Sequence, residues 1–97
     1  MLYTIITTTN ARRDIQDAID WENMRQPGLA KRFLIDLEQK LLAIAAVPHI
    51  GSVRYENVHC IVTNIFQYLI HYTIDEERQQ IIVLRVLHTS RKPVGKF

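Results

Sequence analysis

The hydrophobic and polar positions of this chain change period once into helix and once back to strand. "LYTIITTT" (Leu2–Thr9) is rich in β-branched residues, which fit a pleated surface, and predicts a first strand. From Ala11 the apolar positions Ala11, Ile15, Ala18 and Ile19 recur at helical spacing, with Trp21 and Met24 widening that face or covering its edge. Asp14, Asp17, Asp20 and Glu22 fall between them and are expected to face water. Thr9 or Asn10 is the expected N-cap, because a short side-chain oxygen can accept from the free amides of a first turn. "QPG" (Gln26–Gly28) interrupts the pattern. A second helix is predicted from Leu29 to Ala46, where Ala30, Phe33, Leu34, Leu37, Leu41 and Ile44 form one stripe. Arg32 and Asp36, four apart, are expected to pair on its solvated side. Pro48 disfavours helical geometry at Val47 and stops the helix there.

Beyond Ser52 the period shortens to that of strands. "SVRYENV" (Ser52–Val58), "HCIVTNI" (His59–Ile65) and "QYLIHYTID" (Gln67–Asp75) read as three of them. In the third, Tyr68, Tyr72, Ile70 and Ile74 share the face expected to enter the core. "EER" (Glu76–Arg78) is a polar turn, and "QIIVLRVLH" (Gln80–His88) is apolar on both faces except at Arg85, as an interior strand would be. Short connections imply an antiparallel meander. The expected architecture is α+β: a small antiparallel sheet with an N-terminal strand and a helical hairpin packed on one face, β-α-α-β-β-β, in one domain over residues 1–97.

Composition narrows the class. With 97 residues, 47% of them hydrophobic, the chain can bury a core without staples, and its few glycines and prolines argue against disorder. The longest apolar run, Leu41–Val47, is too short to cross a bilayer, and "MLYTIITTTN" lacks the layout of a secretory signal. A single cysteine, Cys60, makes no internal disulfide, which fits a reducing cytoplasm. The net charge of +2 conceals an asymmetry. Residues 1–84 carry eight Lys/Arg against ten Asp/Glu, whereas residues 85–97 carry Arg85, Arg91, Lys92 and Lys96 with no acid. That end favours an anionic partner, or serves solubility.

His88 stands where the last strand should end, flanked by Thr89, Ser90 and Arg91. An imidazole exchanges protons near neutral pH and guanidinium groups grip phosphate through paired donors, which are the needs of phosphodiester chemistry. The plainer alternative is a histidine that closes the strand by bonding to backbone. Strand phase puts His88 with Val86, Leu84 and Ile82, and Arg85 with Leu87 and Val83 on the other side. Arg85, among apolar neighbours, should reach solvent or pair with an acid such as Glu56 or Asp75. The histidines at 49, 59, 71 and 88 match no compact metal-ligand spacing, so no metal is expected. Three glycines form no phosphate-cradling loop, and no cofactor is expected.

Three segments, "ARRDIQDAIDWENMRQPGLAKRFLIDLEQKLLAIAAVP", "FQYLIHYTID" and "IIVLRVLHTSRKP", in this order and spacing, make the chain resemble toxins of the RelE/ParE superfamily of bacterial type II toxin–antitoxin systems. The resemblance implies the same compact fold and a cognate antitoxin partner. It implies one of two targets: DNA gyrase for ParE-like members, or mRNA on the ribosome for metal-independent RNases. For an RNase it implies His88 as the proton-transfer group, with Arg85 and Arg91 on phosphate. For a ParE-like toxin Arg85, His88, Arg91 and Lys92 would instead belong to a partner-binding surface. A third alternative is a non-toxic module that keeps only antitoxin binding. Gln67 replaces the proline of the family's Phe-Pro-Tyr motif, His59 stands where many members have arginine, and only Phe97 is aromatic near the C-terminus. "VLRVLHTSRKP" is closest to a ParE-type ending.

Overall fold

The computed structural model describes residues 2–90. In chain order they form β1 (Thr4–Thr7), α1 (Thr9–Arg25), α2 (Leu29–Ala46), a 3-10 turn (Pro48–Ile50), β2 (Ser52–Tyr55), β3 (Val58–Val62), β4 (Tyr68–Asp75) and β5 (Gln80–His88). The five strands make one sheet ordered β1-β5-β4-β3-β2. From β2 to β5 it is the expected antiparallel meander. β1 joins at the far side, parallel to β5, with Thr4 opposite Gln80 and Thr7 opposite Val83, so the sheet is mixed. The strand predicted over Ser52–Val58 is split: it stops at Tyr55, and a turn through Glu56, at φ 47°, starts β3 at Val58.

The hairpin forms where its signals lie, with one correction at its start. Thr8, rather than Thr9 or Asn10, is the N-cap, its Oγ1 accepting from the Ala11 amide. Thr8 wins because the same hydroxyl donates to the carbonyls of Val83 and Leu84 on β5, which neither later residue does. Between the helices Gly28 takes φ 94°, a left-handed value that glycine adopts without Cβ strain. α2 ends at Ala46, and Pro48 opens the following 3-10 turn. The core between hairpin and sheet holds Ala11, Ala18, Phe33, Leu37, Ile44, Tyr68, Ile70, Tyr72, Ile81, Val83 and Val86. Phe33 packs against Tyr68 at a ring-centroid separation of 4.6 Å. Each such large side chain stabilises the fold by roughly 1.5–3 kcal/mol through burial.

Three carboxylates expected in water are buried instead. Asp14 is 9% exposed, Glu22 1% and Asp36 2%. Helical spacing gave them polar positions, but each faces a backbone or hydroxyl group on the sheet side that needs a partner. Asp36 accepts from the amides of Ile65 and Phe66 (3.0 and 2.8 Å), tying the β3–β4 loop to α2. The expected Arg32–Asp36 pair is not made. Glu22 accepts from the Tyr68 hydroxyl (2.9 Å) and pairs with Arg25 (2.8 Å). Met24 is 82% exposed and covers nothing.

Asp14 answers a defect in β5. Opposite His71 and Tyr72, β5 spends three residues on two, so Leu84 is the extra residue of a β-bulge. The bulge shifts the strand's phase: Val83 and Val86, three apart, both point into the core, contrary to the unbroken alternation expected. β1 has ended by this point, leaving the edge of β5 past Val83 without a strand partner among the described residues. α1 fills the gap. Asp14 accepts from the Val86 amide (3.0 Å) and from Arg85 Nε and Nη2 (2.7 and 3.0 Å). Neither Glu56 nor Asp75 pairs with Arg85, because the bulge brings the guanidinium to α1.

Removing Asp14 strands a buried amide as well as a charge, whereas removing Arg85 leaves the carboxylate one amide and some solvent. Asp14→Ala is therefore expected to lower unfolding free energy by about 2–3 kcal/mol and Arg85→Ala by about 1 kcal/mol, measured by urea denaturation. Equal losses would show that the pair alone, and not the bulge amide, sets the effect.

Candidate functional site

The C-terminal end of β5 brings His88 to the mouth of the helical hairpin. Its register partner is Tyr68, so both side chains lie on the helix side of the sheet, with rings edge to face at 5.0 Å. The Ser90 amide donates to His88 Nδ1 (3.2 Å), which leaves the proton of a neutral imidazole on Nε2. A cavity of about 380 Å³ opens here, lined by Arg25, Leu29, Arg32, Ile65, Phe66, Gln67 and His88. Arg25 is aimed by Glu22, itself pinned by the Tyr68 hydroxyl. Arg32 has no carboxylate within 4.0 Å among the described residues, since Asp36 is turned inward.

Gln67 is held at φ 60°, unusual for a residue with a side chain. The backbone bond from Thr89 to the Gln67 carbonyl (3.1 Å) and that from Thr63 to Tyr68 (2.9 Å) fix this loop against both neighbouring strands. A proline ring cannot adopt this φ. Replacement of the motif proline by Gln67 therefore goes with a different local backbone, beyond a loss of stiffness.

Arg85 is elsewhere. It is paired in register with His71, and His71 with Cys60, so these three share the other sheet face. There the Tyr55 hydroxyl and Cys60 Sγ lie 3.2 and 3.5 Å from His71 Nδ1. Burial lowers the His71 pKa, and Arg85 and Arg54 lower it further against the opposing pull of Asp14. Burial likewise pushes the Cys60 thiol up, outweighing Arg54. Of the residues singled out from sequence, Arg85 and His88 are thus on opposite faces, as strand phase implied, and Arg91 and Lys92 lie outside the described residues. Arg25, Arg32 and Gln67 were missed. His88 at the β5 ending and the departure at Gln67 marked this cavity in the sequence, whereas the other lining residues meet through tertiary packing.

Because the folded His71 imidazole resists protonation, the unfolded chain takes up that proton first as pH falls. Its contribution to stability is complete above the unfolded pKa of about 6.5 and is lost as pH drops from there through the lower folded value. In urea unfolding at pH 7.5 and 5.0, His71→Gln should show a smaller acid loss than the parent chain. An unchanged loss would assign the acid sensitivity to other groups.

Comparison with known proteins adds what geometry alone does not. A search of curated proteins returns no match. Among solved structures, the toxin–antitoxin complex RelBE2 from Mycobacterium tuberculosis matches at 25% identity over 94% of this chain and 95% of that one, with a TM-score of 0.66. The chromosomal ParDE system of P. aeruginosa matches at 14% identity over 90% and 96%, with a TM-score of 0.76. The intact E. coli RelBE complex matches at 16% identity over 92% and 99%, with a TM-score of 0.66. The last two likenesses concern the fold. The family model for the ParE toxin of the type II toxin–antitoxin system, parDE, matches residues 5–93, running from the first strand past the last. The chain therefore belongs to the ParE toxin family of type II toxin–antitoxin systems.

Proposed function

We propose that this protein inhibits growth by acting on DNA gyrase in the cytoplasm and is neutralised by a cognate antitoxin. The observation that carries this reading is the ParE family match over residues 5–93. The M. tuberculosis relative was solved as a toxin–antitoxin complex, which supports an antitoxin partner for this chain too. No helix among the described residues is long and apolar enough to cross a membrane. We place the partner-binding surface at the end of β5, on His88 with Arg91 and Lys92 following it in sequence, and with Arg85 holding the strand in position.

Two contacts favour a binding surface over an RNase centre. Arg85 already gives two hydrogen bonds to Asp14, so its charge is largely compensated before any phosphate arrives. His88 Nδ1 accepts from the Ser90 amide, so the neutral ring carries its proton on Nε2, which is then a donor rather than a base. Proton abstraction from a ribose hydroxyl would require that arrangement to change.

Inducing the chain alone in a bacterial host should arrest growth with filamentous cells and DNA breaks, and the purified protein should inhibit gyrase supercoiling. Coexpression with the adjacent antitoxin gene should restore growth. Cut transcripts with intact chromosomal DNA would replace gyrase by mRNA as the target. Normal growth on induction would falsify both toxin readings. On the binding-surface reading, a Lys92→Glu variant loses gyrase inhibition while its unfolding midpoint stays unchanged.

A further inference from the structure

Asp36 does two things at the hairpin mouth. Its buried carboxylate accepts from the amides of Ile65 and Phe66, and in doing so it turns away from Arg32, one helical turn back. The first effect stiffens the β3–β4 loop. The Thr63 amide donates to the Tyr68 carbonyl, the Tyr68 amide to Thr63 Oγ1 (3.0 Å) and the Thr89 amide to the Gln67 carbonyl, so the end of the loop is tied as well. Phe66 is turned inward, edge to face on Phe33 at 6.0 Å. Ile65 is left in water, 67% exposed, on a loop that has little freedom to hide it. The second effect leaves Arg32 without a carboxylate within 4.0 Å among the described residues, and the same holds for Lys31 beside it. The first turn of α2 carries no acidic residue to offset them. Arg25 differs, since Glu22 already compensates it.

We propose that the β3–β4 loop and the first turn of α2 dock a segment of the antitoxin in which an apolar side chain lies next to a carboxylate. Ile65 and Arg32 line one cavity together with Leu29 and Phe66, so both halves of such a segment are met in one place. The apolar side chain covers Ile65 and enters beside Leu29 and Phe66. The carboxylate replaces the one that Asp36 withholds, and the guanidinium fork of Arg32 matches its two oxygens. Because the loop is already fixed, docking loses little conformational freedom there. Charge and shape exclude other occupants. A purely apolar partner would bury the guanidinium unpaired. A second copy of this chain, placed by a two-fold axis, would set Lys31 and Arg32 against their own like charges. A phosphate would meet Arg32 and leave Ile65 bare.

This surface rests on the antitoxin partner proposed above. Isothermal titration of the purified protein with the product of the adjacent antitoxin gene should give saturable binding. Ile65→Ala should weaken it by about tenfold or more, as loss of a central anchor does. Arg32→Glu should weaken it at least as much, and Arg32→Ala should flatten its salt dependence. Both side chains are exposed, so the unfolding midpoints should stay at the parent value. Leu42, 55% exposed farther along α2, is the control: Leu42→Ala should bind as the parent does. Replacing the acidic residues of the antitoxin by lysine, one at a time, should yield one change that restores affinity for Arg32→Glu.

The two readings fail in different ways. No binding by the parent chain would sink the antitoxin partner and this surface with it. Binding by the parent that Ile65→Ala and Arg32→Glu leave unchanged would overturn the surface alone. Loss of gyrase inhibition in these variants with antitoxin affinity intact would also overturn it, because the surface would then belong to the target.

Discussion

The Asp14 carboxylate, set against the bulge in β5, is the contact on which the rest of this structure depends. β1 ends opposite Val83, and beyond it β5 would expose an unpaired edge and a broken alternation. A helix cannot continue a strand's hydrogen-bond ladder, but one acidic side chain can satisfy an edge amide and a guanidinium together. Thr8 treats the carbonyls of the same bulge while capping α1. Cap, bulge and ion pair form one joint. It sets the angle at which the hairpin leaves the sheet, lets both Val83 and Val86 enter the core, and so determines where His88 emerges.

Glu22 and Asp36 repeat the device further along. Each helix lowers a carboxylate onto the sheet side, and each carboxylate meets donors rather than a bare apolar wall. Glu22 and Asp36 meet the start of β4 and the loop before it, Asp14 meets β5, and together they restrict how the layers can slide. An all-apolar interface of the same size would stabilise the fold without specifying register so tightly. Their inward turn also redistributes charge: acids that helical spacing assigns to the surface are withdrawn, and the outer side of the hairpin mouth is more basic than its sequence suggests.

The two helices, the QPG break, the stop at Pro48 and the last two strands were legible because each has a strong local cause. So was the assignment of Tyr68, Ile70 and Tyr72 to the core. What was not legible depended on a partner distant in the chain. Asp14 and Arg85 are separated by 71 positions, and no periodicity connects them. The extra residue at Leu84 leaves no mark in an apolar run, so the phase shift at Val83 could not be read. The cap fell to Thr8 because its hydroxyl also donates to distant carbonyls of β5. The cavity at His88 draws on four separate segments, and of these only the β5 ending, by its charge, and Gln67, by its departure from the motif, stood out. The family resemblance carried the fold and the toxin class further than the residues alone.

Placing β5 inside the sheet, between β1 and β4, has a consequence for synthesis. The strand that joins the N-terminal segment to the meander is the last of the five strands to be made. Until it leaves the ribosome, β1 has no strand neighbour, Asp14 has nothing to hold, and α1 lacks the strand it packs on. Such long-range closure comes late and slowly. The emerging polypeptide therefore cannot present its finished surfaces before β5 is available, and its maturation begins only when that strand is free.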